Sequence, residues 1–184
     1  MIQELTQDTV QRRIEASPEA LYDLIADVTR TPQLSPEVVA AEWIDGATGP
    51  AVGVRFRATN HAGRGPDWHN TPIITVAERG QEFAFTRTEK HAGTIEWRYR
   101  FTPDGMGTVV TESYEVIRPV TRFGWFIIGV LYGNKDRKGD LHRGMTQTLE
   151  RLAALAENPP TGSGASSADT RADESATGAG QPRL

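Results

Sequence analysis

Four side chains that could do chemistry are predicted to lie on the apolar face of a β-sheet: Asn60, Trp68, Glu112 and Tyr114. Glu112 has the same strand parity as Val110 and Tyr114, so its carboxyl group should point to the apolar side. A carboxyl group beside a cavity has a raised pKa and could serve in acid–base chemistry. The more common alternative is a structural glutamate that pairs with an arginine or lies at a cavity mouth. Asn60 could orient a carbonyl or hydroxyl group of a ligand, or it could satisfy the backbone at a strand end.

Other kinds of reactive site are scarce in the sequence. His61 and His69 are each one position from a residue of this set, so they should point to the opposite face, although a catalytic histidine stays an alternative. The chain has no cysteine, which excludes disulfides, thiolate metal sites and cysteine nucleophiles. No two histidines are four positions apart, and neither a P-loop nor a dinucleotide fingerprint is present. We therefore predict no metal and no other cofactor.

The charge of the 184-residue chain argues against a nucleic-acid partner. Lysine and arginine number 20 against 24 aspartates and glutamates, which gives a formal net charge of −4. A nucleic-acid surface needs a clustered basic excess instead. Residues 1–8 contain neither the basic nor the apolar segment of a secretory signal. We therefore expect a cytoplasmic protein.

The elements that position these residues begin with a strand and a helix. Residues 9–16 alternate between apolar and polar side chains, as a half-buried strand does. Ser17 then supplies an N-cap hydroxyl group, Pro18 suits the first helical position, and Glu19 favours the positive end of the helix dipole. Pro32 and Pro36 limit any second helix to one or two turns.

Six short strands follow without intervening helices, which indicates an antiparallel sheet because parallel strands need long crossovers. They are predicted at residues 38–44, 54–60, 68–77, 82–88, 94–101 and 108–117. One face of the sheet is charged and exposed to solvent, so only the other face needs a layer packed against it. The other face is either a dry core, the usual role of aromatic residues, or the wall of a cavity. Its large apolar residues are Phe56, Phe83, Phe85, Ile95, Trp97, Tyr99, Phe101, Val110 and Tyr114.

The predicted cover is a helical segment from residue 121 to residue 156, and its second half is an ordinary amphipathic helix. The first half, from Phe123 to Tyr132, is apolar nearly all round but, at ten residues, is too short to span a bilayer, which takes about 20. One face should pack on the sheet and the other should meet a ligand, a membrane or a protein partner. Because Gly124, Gly129 and Gly133 weaken the helix, we predict that this segment is a gate over a cavity entrance.

The composition changes near residue 158. Residues 158–184 contain no aromatic residue and one large aliphatic residue, Leu184, and consist mainly of Gly, Ala, Ser, Thr and Pro. Such a segment cannot bury enough apolar surface to offset the entropy lost on ordering. The prediction is one folded domain, residues 1–157, and a disordered tail, residues 158–184.

Several local motifs are shared with a known superfamily: Ser17-Pro18-Glu19, Trp43-Ile44-Asp45-Gly46, Trp97-Arg98-Tyr99 and Gly107-Thr108-Val109-Val110-Thr111-Glu112. They resemble the SRPBCC superfamily of START domains and pollen-allergen-like proteins, in particular its bacterial polyketide cyclase/dehydrase-like members. The resemblance implies an α+β helix-grip fold, with a seven-stranded curved antiparallel sheet wrapped around a long C-terminal helix and two short helices after the first strand. It also implies a deep apolar cavity between sheet and helix. The chain departs from the family in its short second helix, where Thr31-Pro32-Gln33-Leu34 replaces a pattern with two tryptophans.

The resemblance favours the cavity over the dry core. The predicted function is the binding of a small hydrophobic molecule, lipid-like or polyketide-like, by a carrier or sequestering protein. One alternative is a polyketide cyclase, aromatase or dehydratase in which Glu112 acts with Tyr114 or His61, and another is docking on a membrane or protein through residues 123–132. The predicted ligand-binding residues are Phe56, Asn60, Trp68, Phe83, Phe85, Trp97, Tyr99, Glu112, Tyr114 and Trp125.

Overall fold

A computed structural model of the chain describes residues 5–61, 63, 65–130 and 136–158. Within these residues the strands are β1 (Gln7–Ile14), β2 (Val38–Trp43), β3 (Phe56–Asn60), β4 (Trp68–Asn70), β5 (Ile73–Glu78), β6 (Glu82–Glu89), β7 (Gly93–Asp104) and β8 (Gly107–Arg118). The helices are α1 (Pro18–Ala26), α2 (Thr31–Leu34), α3 (Arg122–Val130) and α4 (Arg137–Glu157), with a 3-10 turn at Val28–Arg30. Apart from Asn158, the predicted tail lies outside the described residues.

The strands form two antiparallel sheets, which confirms the predicted α+β class. Five strands pair in the order β1-β8-β7-β6-β5 and three in the order β2-β3-β4, and a bridge between Arg55 and Ile73 joins the two sheets. The count is therefore eight strands in two parts instead of seven in one sheet. The difference arises at residues 68–77, predicted as one strand. Pro72 interrupts the ladder between β4 and β5 because proline has no N–H group to donate.

The strand registers place the aromatic residues on one covered face. Phe85 of β6 lies opposite Trp97 of β7, and Tyr99 of β7 lies opposite Glu112 of β8. Because alternate side chains of a strand point to opposite faces, these four residues share a face. Arg98, between Trp97 and Tyr99, pairs on the other face with glutamates of β6 and β7. The predicted division into an apolar and a charged face is present in the structure.

Helix α4 closes the core on the covered face. It packs against β1, β8, α1 and α2. Helix α1 joins the same core and begins at the predicted N-cap, where the Ser17 hydroxyl accepts a hydrogen bond from the Ala20 amide at 3.2 Å. The amphipathic spacing of α4 thus provides the predicted cover. Its buried residues are Leu141, Met145, Thr148, Leu149, Leu152 and Ala153.

The long helix predicted for residues 121–156 is instead two helices. Helix α3 ends at Val130, whereas α4 starts at Arg137 with a cap of its own. The Asp136 side chain provides this cap and accepts a hydrogen bond from the Gly139 amide at 3.1 Å. Residues 131–135 lie outside the described residues, and they include the last two positions of the predicted gate and Gly133.

Helix α3 lies against the turn between β6 and β7. The backbone amide and the hydroxyl group of Thr121 each donate to the His91 carbonyl oxygen at 3.0 Å. A Cβ atom at Gly124 would lie 2.2 Å from this oxygen, so the close approach requires glycine there. Trp125, Ile127 and Ile128 are half-buried, and the exposed apolar side chains are Phe123 (56%), Phe126 (62%) and Val130 (63%). No helix in the described ranges is long and apolar enough to span a bilayer.

Candidate functional site

A cavity of about 120 Å³, here called the first cavity, lies between the aromatic face of the sheets and the helices. Strands β3, β6 and β7 supply its aromatic wall, and α1, α2 and α4 supply aliphatic side chains. Its mainly apolar walls suit a hydrophobic occupant. The apolar lining includes Ile25, Val28, Leu34, Phe56, Ala58, Phe83, Phe85, Trp97, Leu141 and Met145.

Glu112 of β8 brings a carboxyl group to the wall of the first cavity. Its side chain is buried, and Oε1 accepts a hydrogen bond from the Tyr99 hydroxyl at 2.8 Å. Oε2 is buried and has no hydrogen-bond partner among residues 5–61, 63, 65–130 and 136–158. Burial raises the pKa of Glu112 to about 8, although the hydrogen bond from Tyr99 favours the charged form. The carboxyl group is therefore mainly protonated at neutral pH and can donate a hydrogen bond or a proton.

The partner of Glu112 is Tyr99, and neither Tyr114 nor His61 bonds to it as the enzyme alternative expected. Burial and the neighbouring carboxyl group raise the pKa of Tyr99 well above its ordinary value, so its hydroxyl keeps its proton and donates. The Tyr114 hydroxyl is buried without a hydrogen-bond partner in the described part of the chain. His61 faces Asp67 instead, with 2.7 Å between Nδ1 and Oδ1.

Two asparagines contribute amide groups to the first cavity. Asn60 Nδ2 donates to the carbonyl oxygens of Ala58 and Trp68 at 3.4 and 3.5 Å, which corresponds to the backbone-satisfying alternative. Asn70 also lines the cavity, and its Oδ1 is buried without a partner in the described ranges. Asn70 is not among the predicted site residues, although it has the same strand parity as Trp68, two residues earlier.

A half-buried ion pair also borders the first cavity. Arg137, the first residue of α4, and Glu37 form two hydrogen bonds, one of them 2.9 Å between Nη2 and Oε2. Burial opposes the charge on Glu37, but the guanidinium group outweighs it and holds the pKa of Glu37 below its usual value. Arg87 pairs in the same way with Glu89. The pairing of Glu37 with Arg137 was not predictable from the sequence, because partners 100 positions apart leave no local pattern.

A second cavity, of about 290 Å³, lies beneath α3. Gly124, Ile127 and Ile128 of α3 form one wall, and another is formed by the last residue of β6 and residues 90–92 of the β6–β7 turn. The two cavities adjoin, since the same four residues line both: Trp68, Arg87, Arg137 and Leu141. Helix α3 therefore covers space that borders the first cavity.

The structure brings most of the predicted ligand-binding residues together. Tyr114 and Trp125 line neither cavity and pack instead in a neighbouring apolar cluster with Leu5 and Ile95. His69 lines the second cavity, with its Nδ1 3.0 Å from the Thr59 hydroxyl. That the predicted ligand-binding residues contact a ligand stays a prediction. The residues that line the first cavity are Phe56, Asn60, Trp68, Phe83, Phe85, Trp97, Tyr99 and Glu112.

Comparison by sequence gives one family. The sequence profile of the family described as polyketide cyclase/dehydrase and lipid transport matches residues 7–157, which include all the elements described above. No curated protein sequence matches the chain significantly.

Comparison by structure shows the same fold in several proteins. Protein CV1439 from Chromobacterium violaceum is 16% identical with a TM-score of 0.62, and the match covers 83% of this chain and 99% of that one. A START superfamily protein from Mycobacterium smegmatis is 15% identical with a TM-score of 0.61, over 83% and 98% of the two chains. The di-domain ARO/CYC StfQ from the steffimycin biosynthetic pathway is 14% identical with a TM-score of 0.67, over 83% of this chain and 51% of that one. At such identities the likeness establishes the fold alone.

Proposed function

Because the chain belongs to the polyketide cyclase/dehydrase and lipid transport family, and is thus a ligand-binding domain of the SRPBCC superfamily, we propose that it carries or sequesters a small hydrophobic molecule held in the first cavity. The observation that supports this proposal is the apolar space of about 120 Å³ between the sheet and α4. A dry cavity of about 150 Å³ holds one benzene molecule, so the first cavity suits a single ring system. A longer ligand would extend past Trp68 and Leu141 into the second cavity.

The test compares two glycine-to-leucine variants on helices. Gly144 of α4 lines the first cavity, and a Cβ atom there would make only an ordinary contact of 3.7 Å with Pro36, so a leucine would fill the cavity without a backbone clash. Gly129 of α3 lines neither cavity, and its Cβ atom would meet nothing within 4 Å. Both variants should stay folded, because leucine is a better helix former than glycine.

The ligand probe for this test is N-phenylnaphthylamine, an uncharged fluorophore whose two ring systems would extend from the first cavity past Trp68 and Leu141 into the second. We expect saturable binding to the wild type, a loss of about tenfold or more in affinity for Gly144→Leu, and wild-type affinity for Gly129→Leu. Wild-type affinity in Gly144→Leu would place the probe outside the first cavity and contradict the proposal.

A second candidate function is a polyketide cyclase-type reaction, which the protonated Glu112 beside Tyr99 favours. In such a reaction an enol carbon attacks a ketone carbon and a carbon–carbon bond forms. Glu112 would give its proton to the ketone oxygen and regain one from the enol hydroxyl group, so the protons balance. We expect Glu112→Gln to bind N-phenylnaphthylamine normally but to lose cyclised product from a synthetic poly-β-keto thioester, as measured by mass spectrometry. The same product profile with and without protein would exclude this candidate.

A third candidate function is docking of α3 on an anionic membrane surface. Arg122 lies about 40° around the helix axis from Phe126, on the exposed apolar face of α3. Arg118 precedes the helix, and Lys90 lies in the turn against which it packs; all three cationic residues are exposed. This local excess occurs in a chain of net charge −4. Cations beside exposed aromatic residues are typical of helices that lie in the membrane interface.

Helix α3 forms most of the predicted gate, and the face opposite its exposed side lines the second cavity. Docking of α3 would therefore bring the membrane to the predicted cavity entrance. The test is co-sedimentation with vesicles of phosphatidylcholine and phosphatidylglycerol. We expect the wild type and the control Met106→Ser, whose methionine is 94% exposed in the β7–β8 turn, to sediment. The double variant Phe123→Ser with Phe126→Ser should stay in solution. Equal sedimentation of all three would contradict docking through α3, and a dimer that depends on these phenylalanines would show that the face joins two copies instead.

A further inference from the structure

The second carboxyl oxygen of Glu112 points to a polar recognition site within the apolar first cavity. On the neighbouring strands Glu112 lies opposite Tyr99 of β7 and Val10 of β1, so Tyr99 is the one polar side chain at these two register positions. Tyr99 bonds to Oε1, and Oε2 stays without a partner in the described ranges. On α4, the Thr148 hydroxyl is already bonded to the Gly144 carbonyl oxygen.

The other ionisable groups on the cavity wall do not compensate a charge on Glu112. Glu37 is bonded to Arg137, Arg87 to Glu89, and Asp140 to Arg143. Tyr99 is a neutral donor, since burial raises its pKa. Burial without a cationic partner keeps the Glu112 carboxyl group protonated. Its proton lies on Oε2, because Oε1 already accepts the hydrogen bond from Tyr99.

A protonated carboxyl group has one hydrogen to donate, and a buried donor without an acceptor is unfavourable. The described side chains supply no acceptor for Oε2, so an acceptor atom on the occupant of the cavity would satisfy this donor. We propose that Glu112 donates a hydrogen bond from Oε2 to an uncharged acceptor oxygen of the bound molecule, such as a ketone. The first cavity then selects hydrophobic ketones over hydrocarbons of the same shape. This inference rests on the proposed binding function and names the chemical class of the ligand.

The test uses two bicyclic molecules of nearly equal shape, α-tetralone, which has a ketone oxygen, and tetralin, which has none. Both are titrated as competitors of N-phenylnaphthylamine at about pH 6, where Glu112 is protonated. We expect the wild type to bind α-tetralone about tenfold more tightly than tetralin, the gain of one neutral hydrogen bond. Equal affinities would overturn this inference and leave the proposed function standing. No binding of either molecule or of the probe would overturn the proposed function itself.

Two variants and a pH series separate recognition by Glu112 from a structural effect. Glu112→Gln keeps an acceptor for Tyr99 and a donor for the ketone, so it should keep the preference at every pH. Glu112→Leu should bind both molecules equally, and its melting curve shows whether it is folded. In the wild type the preference should fall towards one above about pH 8, as Glu112 loses its proton. A preference that persists unchanged at about pH 9 would overturn the inference even if the leucine variant does not fold.

Discussion

Helices α3 and α4 are neighbours in the chain, yet they bury their apolar side chains to very different extents. Helix α4 carries Met145, Leu149 and Leu152, each at most 1% exposed. Helix α3 is the more apolar of the two in composition, but Phe123 and Phe126 are more than half exposed and Gly124 is its one fully buried residue. The more apolar helix is therefore the less buried one.

The spacing of the apolar residues, and not the overall hydrophobicity of a helix, decides which of the two helices forms the core. Helix α4 places its apolar residues on one face, and this face matches the covered side of the sheet. Helix α3 is apolar on more than one side, so it can cover the second cavity with one face while the other stays outside. We infer that α4 determines stability, and that α3 is available for contact with another surface.

The largest expected effect comes from truncating one aliphatic side chain in each helix. Leu152→Ala in α4 should lower the free energy of unfolding by about 2–5 kcal/mol, because it leaves a cavity in the core. Val130→Ala in α3 should change it by less than about 0.5 kcal/mol, since Val130 is 63% exposed. Urea denaturation measures both values. A loss for Val130→Ala as large as that for Leu152→Ala would remove the distinction between the two helices.

The next effect in size is a pH dependence of stability that is caused by Glu112, which is buried beneath α4. Burial raises the pKa of Glu112 to about 8, against 4.5 for the ordinary group, so the folded protein retains a proton that the unfolded chain has lost. Stability should therefore fall as the pH rises from about 5 to about 8, by at most about 1.4 kcal/mol per pH unit, and level off above.

The control for this pH dependence is Glu112→Gln, which should show a flatter profile over the same range. Glu37 has the opposite effect on stability and acts in a different pH range. Because its pKa is lowered, its contribution to stability is lost only as the pH falls below about 4.5. Melting temperatures across the pH series measure the difference. Identical profiles for the wild type and Glu112→Gln would mean that Glu112 is charged in the folded protein.

A smaller effect should distinguish the two faces of strand β7. Trp97 lines the first cavity, whereas its neighbour Arg98 pairs with Glu82 and Glu96 on the other side of the sheet. We expect Trp97→Ala to weaken the binding of N-phenylnaphthylamine by about tenfold, and Arg98→Ala to leave it unchanged. Equal losses in the two variants would contradict the assignment of Trp97 to the cavity wall.

The smallest effect is expected from deletion of residues 159–184, which have no apolar face like those of α3 and α4. Because residues 159–184 have no aromatic residue and almost no large aliphatic residue, we propose that they contribute nothing to the core. Their deletion should leave the melting temperature unchanged in calorimetry. A decrease of several degrees would show that this segment packs on the domain.

Local patterns made much of the site predictable. The Ser17 cap follows from a serine before a proline and a glutamate, and the position of Glu112 on the apolar face follows from its parity with Val110. The partner of Glu112 was not predictable from the same rule. Parity places Tyr99 on that face, but only the register of β7 against β8 places its hydroxyl beside the carboxyl group.

Other features depend on contacts that the sequence does not show. The pairing of Glu37 with Arg137 needs the N-terminus of α4 to meet the start of β2, a distance of 100 positions along the chain. Helix propensity alone predicts that Gly124 weakens the helix, whereas in the structure it allows α3 to approach the His91 carbonyl oxygen. In both cases the tertiary fold determines the role of the residue.

We propose that the first cavity, between the sheet and α4, holds a hydrophobic molecule. The chain has three methionines, of which Met145 is buried on the wall of this cavity and Met106 is 94% exposed in the β7–β8 turn. NMR spectra of isotope-labelled methionine methyl groups, recorded during titration with N-phenylnaphthylamine, therefore report on the cavity and on the surface at once. We predict that the Met145 signal shifts to saturation and shows nuclear Overhauser contacts with the probe, while the Met106 signal does not move. A bound probe that leaves the Met145 signal unchanged would contradict binding in the first cavity.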